Sequence, residues 1–138
     1  MICGRMGFLG MALAAMAAVP AAAEPPPCPN LSGVFECPAS DKQPPMTLTV
    51  KSDESAWGAR TYKFTYRIMG KDLTSAADGV PKENAKRLPG SNLCDDGALF
   101  LKVAGEAGEG TRMFINKDGN LERTKGGKTE LVCTRKAN

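Results

Sequence analysis

The 138-residue chain contains no histidine. That removes the side chain behind most acid–base relays, nucleophilic triads and hydrolytic metal centres. Its serines (Ser32, Ser40, Ser52, Ser55, Ser75 and Ser91) lie among turn residues, with neither a Gly-x-Ser-x-Gly elbow nor a Ser-x-x-Lys pair. Two facing carboxylates would support glycoside hydrolysis. The acids here are turn residues such as Asp95, Asp96 and Asp118, or outward strand residues such as Glu122. Asn116-Lys117-Asp118-Gly119-Asn120 has the composition of a calcium loop but not its spacing. Leu121 stands where the glycine is required and Gly127 where the closing glutamate is required. Gly105, Gly108 and Gly110 lack the Gly-Lys-Ser/Thr ending of a phosphate loop. No catalytic residue, metal site or cofactor is expected, and of the functional classes a small hydrolase fits least.

Cysteine is the residue type whose number and spacing do predict chemistry. Cys28, Cys37, Cys94 and Cys133 follow an N-terminal export pattern. One basic residue, Arg5, precedes an uncharged apolar run over residues 6–19, and Pro20-Ala21-Ala22-Ala23 supplies the small residues of a cleavage site. The run is too short for a comfortable membrane span. Residues 1–23 therefore read as a signal peptide and residues 24–138 as one disulfide-bonded domain, periplasmic or extracellular. The four cysteines contain no Cys-x₂-Cys clamp, so zinc is disfavoured against two disulfides. Three pairings are open; proximity along the chain favours Cys28–Cys37 with Cys94–Cys133.

The remaining distinctive side chains are aromatic. Tyr62, Phe64 and Tyr66 alternate with Lys63 and Thr65, so they share one strand face, either as core or as the wall of a ligand cavity. Trp57 sits beside Gly58 and two residues from Gly58 comes Arg60, all in an expected loop. A large ring and a guanidinium there could anchor a partner. Trp57, Arg60, Tyr62, Phe64 and Tyr66 are thus the candidate contacts for a protein or a small apolar ligand. The net charge of +3 is spread, with Lys82, Lys86 and Arg87 the one compact basic group. Nucleic acid is not an expected partner.

The elements that must position these residues follow a period of two. Val34-Phe35-Glu36-Cys37 is a short strand stopped by Pro38. Met46, Leu48 and Val50 mark a second, and Tyr62 to Ile68 a third. Asp78-Gly79 reads as a turn, and residues 82–87 as a helical turn ended by Pro89-Gly90. Strands follow at 98–103, 111–115, 121–124 and 129–134. Residues 105–110 form a Gly-rich connection, Asn116 to Asn120 a turn, and Gly126-Gly127 a tight hairpin. This predicts an all-β, up-and-down antiparallel barrel of seven or eight strands with two disulfides, or alternatively a β-sandwich.

Cys28-Pro29-Asn30-Leu31-Ser32-Gly33-Val34-Phe35 resembles the opening of lipocalin- and avidin-type barrels, where Gly-x-aromatic begins the first strand; the resemblance implies a calycin-like barrel and transfers no binding residue. Phe35-Glu36-Cys37, Leu48-Thr49-Val50 and Cys133 also resemble features of periplasmic C-type lysozyme inhibitors, and Gly58-Ala59-Arg60-Thr61-Tyr62 is similar to their inhibitory loop. That resemblance implies the disulfides Cys37–Cys133 and Cys28–Cys94. The expected function is a non-catalytic exported binding or inhibitor domain; a structural or interaction protein of the cell envelope is the alternative.

Overall fold

The computed structural model describes residues 27–101 and 110–137. The expected signal peptide and the residues beyond Leu101 in the sixth strand's predicted extension lie outside the described residues. Nine strands form a closed barrel in sequence order: β1 (Gly33–Cys37), β2 (Met46–Glu54), β3 (Arg60–Ile68), β4 (Lys71–Pro81), β5 (Asn92–Asp95), β6 (Ala98–Leu101), β7 (Thr111–Ile115), β8 (Leu121–Lys125) and β9 (Lys128–Arg135). The barrel and its all-β class are as the alternation predicts. The strand number and the purely antiparallel sheet are not.

Two strands went unread. β4 runs through Asp78-Gly79, which is strand rather than turn. Gly79 is there because nothing larger fits: a Cβ on it would lie 2.6 Å from Cys94 Sγ and 3.0 Å from both Leu99 Cδ1 and Tyr62 Cε2. In a strand interior, glycine often marks such close approach. β5 is only four residues long and pairs with β4 in parallel, Gly79 to Asn92 through Pro81 to Cys94. The 3₁₀ segment Lys82–Arg87 carries the chain back between them. The parallel pair has a topological consequence. Nine strands alternating strictly would bring β1 and β9 together in parallel, whereas one parallel neighbour restores the antiparallel β1–β9 closure that is observed.

One disulfide stands at the barrel's shortest seam. Cys37–Cys133 ties β1 to β9, which share only two residue pairs in register, Phe35–Arg135 and Glu36–Thr134. Cys28–Cys94 ties the segment before β1 to β5, whose ladder with β4 has three pairs. The chain-proximity pairing fails because Cys28 precedes β1 at one end of the barrel while Cys37 closes β1 at the other. Two disulfides fit folding in an oxidising compartment. Among the described residues no helix is long and apolar enough to cross a membrane.

The interior is filled by Phe35, Leu48, Val50, Tyr62, Phe64, Leu99, Met113, Leu121 and both disulfides. Burying each large side chain contributes about 1.5–3 kcal/mol. Arg135 finishes the closure. Its guanidinium lies 4.8 Å from the Phe35 ring centroid, and it donates to Gly119 O (3.0 Å) and Ser32 O (3.1 Å). One side chain of the last strand thereby joins the start of the first strand and the β7–β8 turn.

Candidate functional site

Tyr62, Phe64 and Tyr66 occupy the inner face of β3 as their alternation requires, with successive ring centroids 6.2 and 6.4 Å apart. They are packed. The void bounded by Met46, Leu48, Tyr66, Met113 and Leu121 has a volume of about 10 Å³, at the limit of a single water. The Tyr62 hydroxyl donates to Pro29 O at 2.8 Å and pins the lead-in segment across the barrel end. Burial pushes this hydroxyl well above the ordinary tyrosine range against the opposing charge of Arg60. Tyr66 is raised by burial too, opposed by Arg123 and by a hydrogen bond with Ser75.

Arg60 and Trp57 are placed differently from one another. Arg60 is 8% exposed. Its Nε donates to Ser52 Oγ (2.8 Å), and Nη1 meets Glu54 Oε1 at 3.2 Å. The guanidinium is engaged across the β2–β3 ladder and holds the base of the loop. Trp57 projects from that loop and is 49% exposed. Ala56 O accepts from Ala59 N at 3.1 Å around Trp57 and Gly58, which have φ of 57° and 73°. Positive φ at both central positions is the type I′ signature.

The 3₁₀ segment holds this turn from the side. Asn84 Nδ2 donates to Trp57 O at 2.9 Å, and the Arg87 guanidinium lies 5.6 Å from the indole centroid. Sequence reading singled out Trp57 and the Lys82, Lys86, Arg87 group separately. It could not join them, because the parallel β4–β5 crossover that brings them together has no local signal.

From Trp57 the same end of the barrel continues across the 3₁₀ segment to the β5–β6 turn. A cleft of about 420 Å³ is lined by Lys82, Glu83, Asp95, Asp96 and Gly97. On the far side of Asp96-Gly97 lies a second cleft of about 430 Å³, lined by Asn30, Arg112, Phe114 and Ile115. The Arg112 guanidinium is 4.5 Å from the Phe114 ring centroid. Two arginine–aromatic pairs thus flank an acidic ridge made by Glu83, Asp95 and Asp96. No group of three His, Cys, Asp or Glu side chains suited to a metal ion occurs among the described residues.

No family model, curated protein or solved structure matches this chain. What the site does must therefore be argued from its own geometry.

Among the described residues, three tight hairpins besides the Trp57 turn allow an internal comparison. Met69-Gly70, Asp96-Gly97 and Gly126-Gly127 each join their strands through two residues of positive φ. The first position of a type I′ turn favours Asn, Asp or Gly. Asp96 and Gly126 obey. Trp57 and Met69 do not, and a non-glycine residue held left-handed costs about 1–2 kcal/mol. The Met69 thioether, 88% exposed, recovers little of that by burial, and the Trp57 ring leaves 49% of its surface in solvent. Strain of this kind persists where function requires the side chain.

Proposed function

We propose that this chain is a non-catalytic binding or inhibitor domain that recognises a basic protein partner with the barrel end carrying Trp57. The observation that carries the reading is Trp57 itself: a half-exposed indole in left-handed backbone, its loop held by Asn84 and its ring beside Arg87. A preset aromatic anchor flanked by arginine matches the composition of interface hot spots. The neighbouring cleft sets Glu83, Asp95 and Asp96 against one cation, Lys82, and this acidic excess gives the partner its sign, since Lys or Arg side chains would enter between Glu83 and Asp96. The packed core supports recognition on the surface over carriage of a small apolar ligand inside. Arg60, Tyr62, Phe64 and Tyr66 serve in this reading as the frame that fixes the loop.

The resemblance to lysozyme inhibitors names a first partner to test, because C-type lysozyme is a basic secreted protein and the disulfides are paired as that resemblance implies. Calorimetric titration against C-type lysozyme and other basic secreted proteins, at low and high salt, tests the reading. The expected result is one binder whose affinity falls with salt and falls about thirtyfold with Trp57→Ala, the about 2 kcal/mol of a hot spot. Binding by Trp57→Ala equal to that of the wild type would refute it, and so would the absence of any binder.

A further inference from the structure

The second costly turn points to a different surface, at the opposite end of the barrel. Next to Met69, β4 is a paired strand on one side only. It ladders with β3 from Lys71 to Gly79, but β5 begins to pair with it only at Gly79. Among the described residues, no turn or loop backbone group hydrogen-bonds to residues 71–77, and the β5 ladder begins beyond them. Residues 71–76 are all exposed, Leu73 at 60%.

The alternation fixes which groups are free. A two-residue hairpin closes on a hydrogen-bonded pair, here Ile68–Lys71, and pairs then alternate. Lys71, Leu73, Ser75 and Ala77 thus turn their amides toward β3. Asp72, Thr74 and Ala76 turn theirs outward. A free edge of this kind, beside exposed Met69 and Leu73, is a template for another strand.

We propose that this edge joins two copies of the chain, β4 to β4 and antiparallel, about a twofold axis at Leu73. Register decides the occupant. Opposite residues in an antiparallel pair share a face, so self-pairing can shift only in steps of two. An axis at Ser75 sets Asp72 against Asp78 of the second copy and drives its Met69-Gly70 turn toward β5. An axis at Thr74 sets the second copy's Met69 against Gly79, where Asn92 already lies. An axis at Leu73 clears β5 altogether. Asp72 then faces Thr74 of the second copy, Lys71 faces Ser75, and the two Leu73 side chains meet. Met69 of each copy comes beside Ala77 of the other. The two large apolar side chains exposed at this end are thereby covered with no like charges opposed.

The axis pair is of the non-hydrogen-bonded type, with Cα atoms about 4.5 Å apart, a separation a disulfide can span. Ser75 and its copy, displaced two residues to either side of the axis, would be about 14 Å apart. Oxidation of Leu73→Cys is therefore expected to yield a reducible covalent dimer. Ser75→Cys should stay monomeric, with the wild-type chain as the control for its own fifth cysteine, Cys3. In sedimentation velocity the wild type should approach twice the monomer mass as concentration rises. Leu73→Lys, which sets two ammonium groups together at the axis, should sediment as a monomer with the melting temperature of the dilute wild type. A wild type that stays monomeric throughout would overturn the proposal, as would Ser75→Cys crosslinking as readily as Leu73→Cys. Trp57→Ala, at the other end, should dimerise as the wild type does, which separates this interface from partner binding.

Discussion

Replacing Tyr62 with phenylalanine is expected to weaken the fold at neutral pH and to make it less sensitive to alkali. The ring is 1% exposed and would be retained. What is lost is the 2.8 Å hydrogen bond to Pro29 O, leaving a buried carbonyl without its partner. That omission costs about 1–3 kcal/mol. The alkaline effect has the opposite sense. Burial raises the hydroxyl pKa of Tyr62 in the folded chain above its unfolded value near 10. Its stabilising contribution is complete below about pH 10. Above that, the unfolded chain loses the proton first, and stability falls by about 1.4 kcal/mol per pH unit until the folded hydroxyl also ionises.

The chain has two tyrosines, and Tyr66 is raised in the same direction. The wild type should therefore lose stability more steeply with rising pH than Tyr62→Phe, in which only Tyr66 contributes. Urea unfolding at a series of pH values from neutral to strongly alkaline reads both effects, with tyrosinate absorbance following ionisation in the folded protein. Ordinary titration of both tyrosines near pH 10 in the folded wild type would refute the reasoning. So would an alkaline slope that is the same in Tyr62→Phe.

Arg135→Lys keeps the charge but loses both carbonyl contacts and the planar stack on Phe35; a loss of about 2–3 kcal/mol in chemical denaturation is expected, and a change below about 0.5 kcal/mol would show that the closure does not depend on it. Trp57→Asn places a residue suited to left-handed backbone at the strained turn position; its melting temperature should equal or exceed that of the wild type while partner binding is lost, and a marked drop in melting temperature would mean that the indole is structural.

The fold was legible wherever one strand face was buried and the other wet. Tyr62, Phe64, Tyr66 and Ile68 announced β3, and Met46, Leu48 and Val50 announced β2, because burial on one side imposes a period of two. β4 was illegible for the same physical reason. Lys71-Asp72-Leu73-Thr74-Ser75-Ala76 is exposed on both faces, so no burial pattern is written into it. Gly79 compounded this by satisfying a close contact with Cys94 rather than a turn. Cysteine number gave two disulfides, but their pairing depends on which barrel ends meet, and chain proximity says nothing of that. Trp57 could be singled out as a ring in a loop. Its supports Asn84 and Arg87 arrive from 27 and 30 residues away by way of the parallel crossover, which leaves no local trace.

The crossover also links the two proposed surfaces to one architectural cause. An odd number of strands closes antiparallel at β1–β9 only if one neighbouring pair is parallel, and the chain meets this with a return segment between β4 and β5. That segment brings Asn84 and Arg87 under the Trp57 loop. Because it starts β5 beside Gly79, only the last three residues of β4 are paired on that side, and the rest of its edge is left open. Met69 and Leu73 stand along the open part, and Trp57 stands over the return segment itself. A wholly antiparallel barrel of eight strands would need neither the return segment nor the open edge.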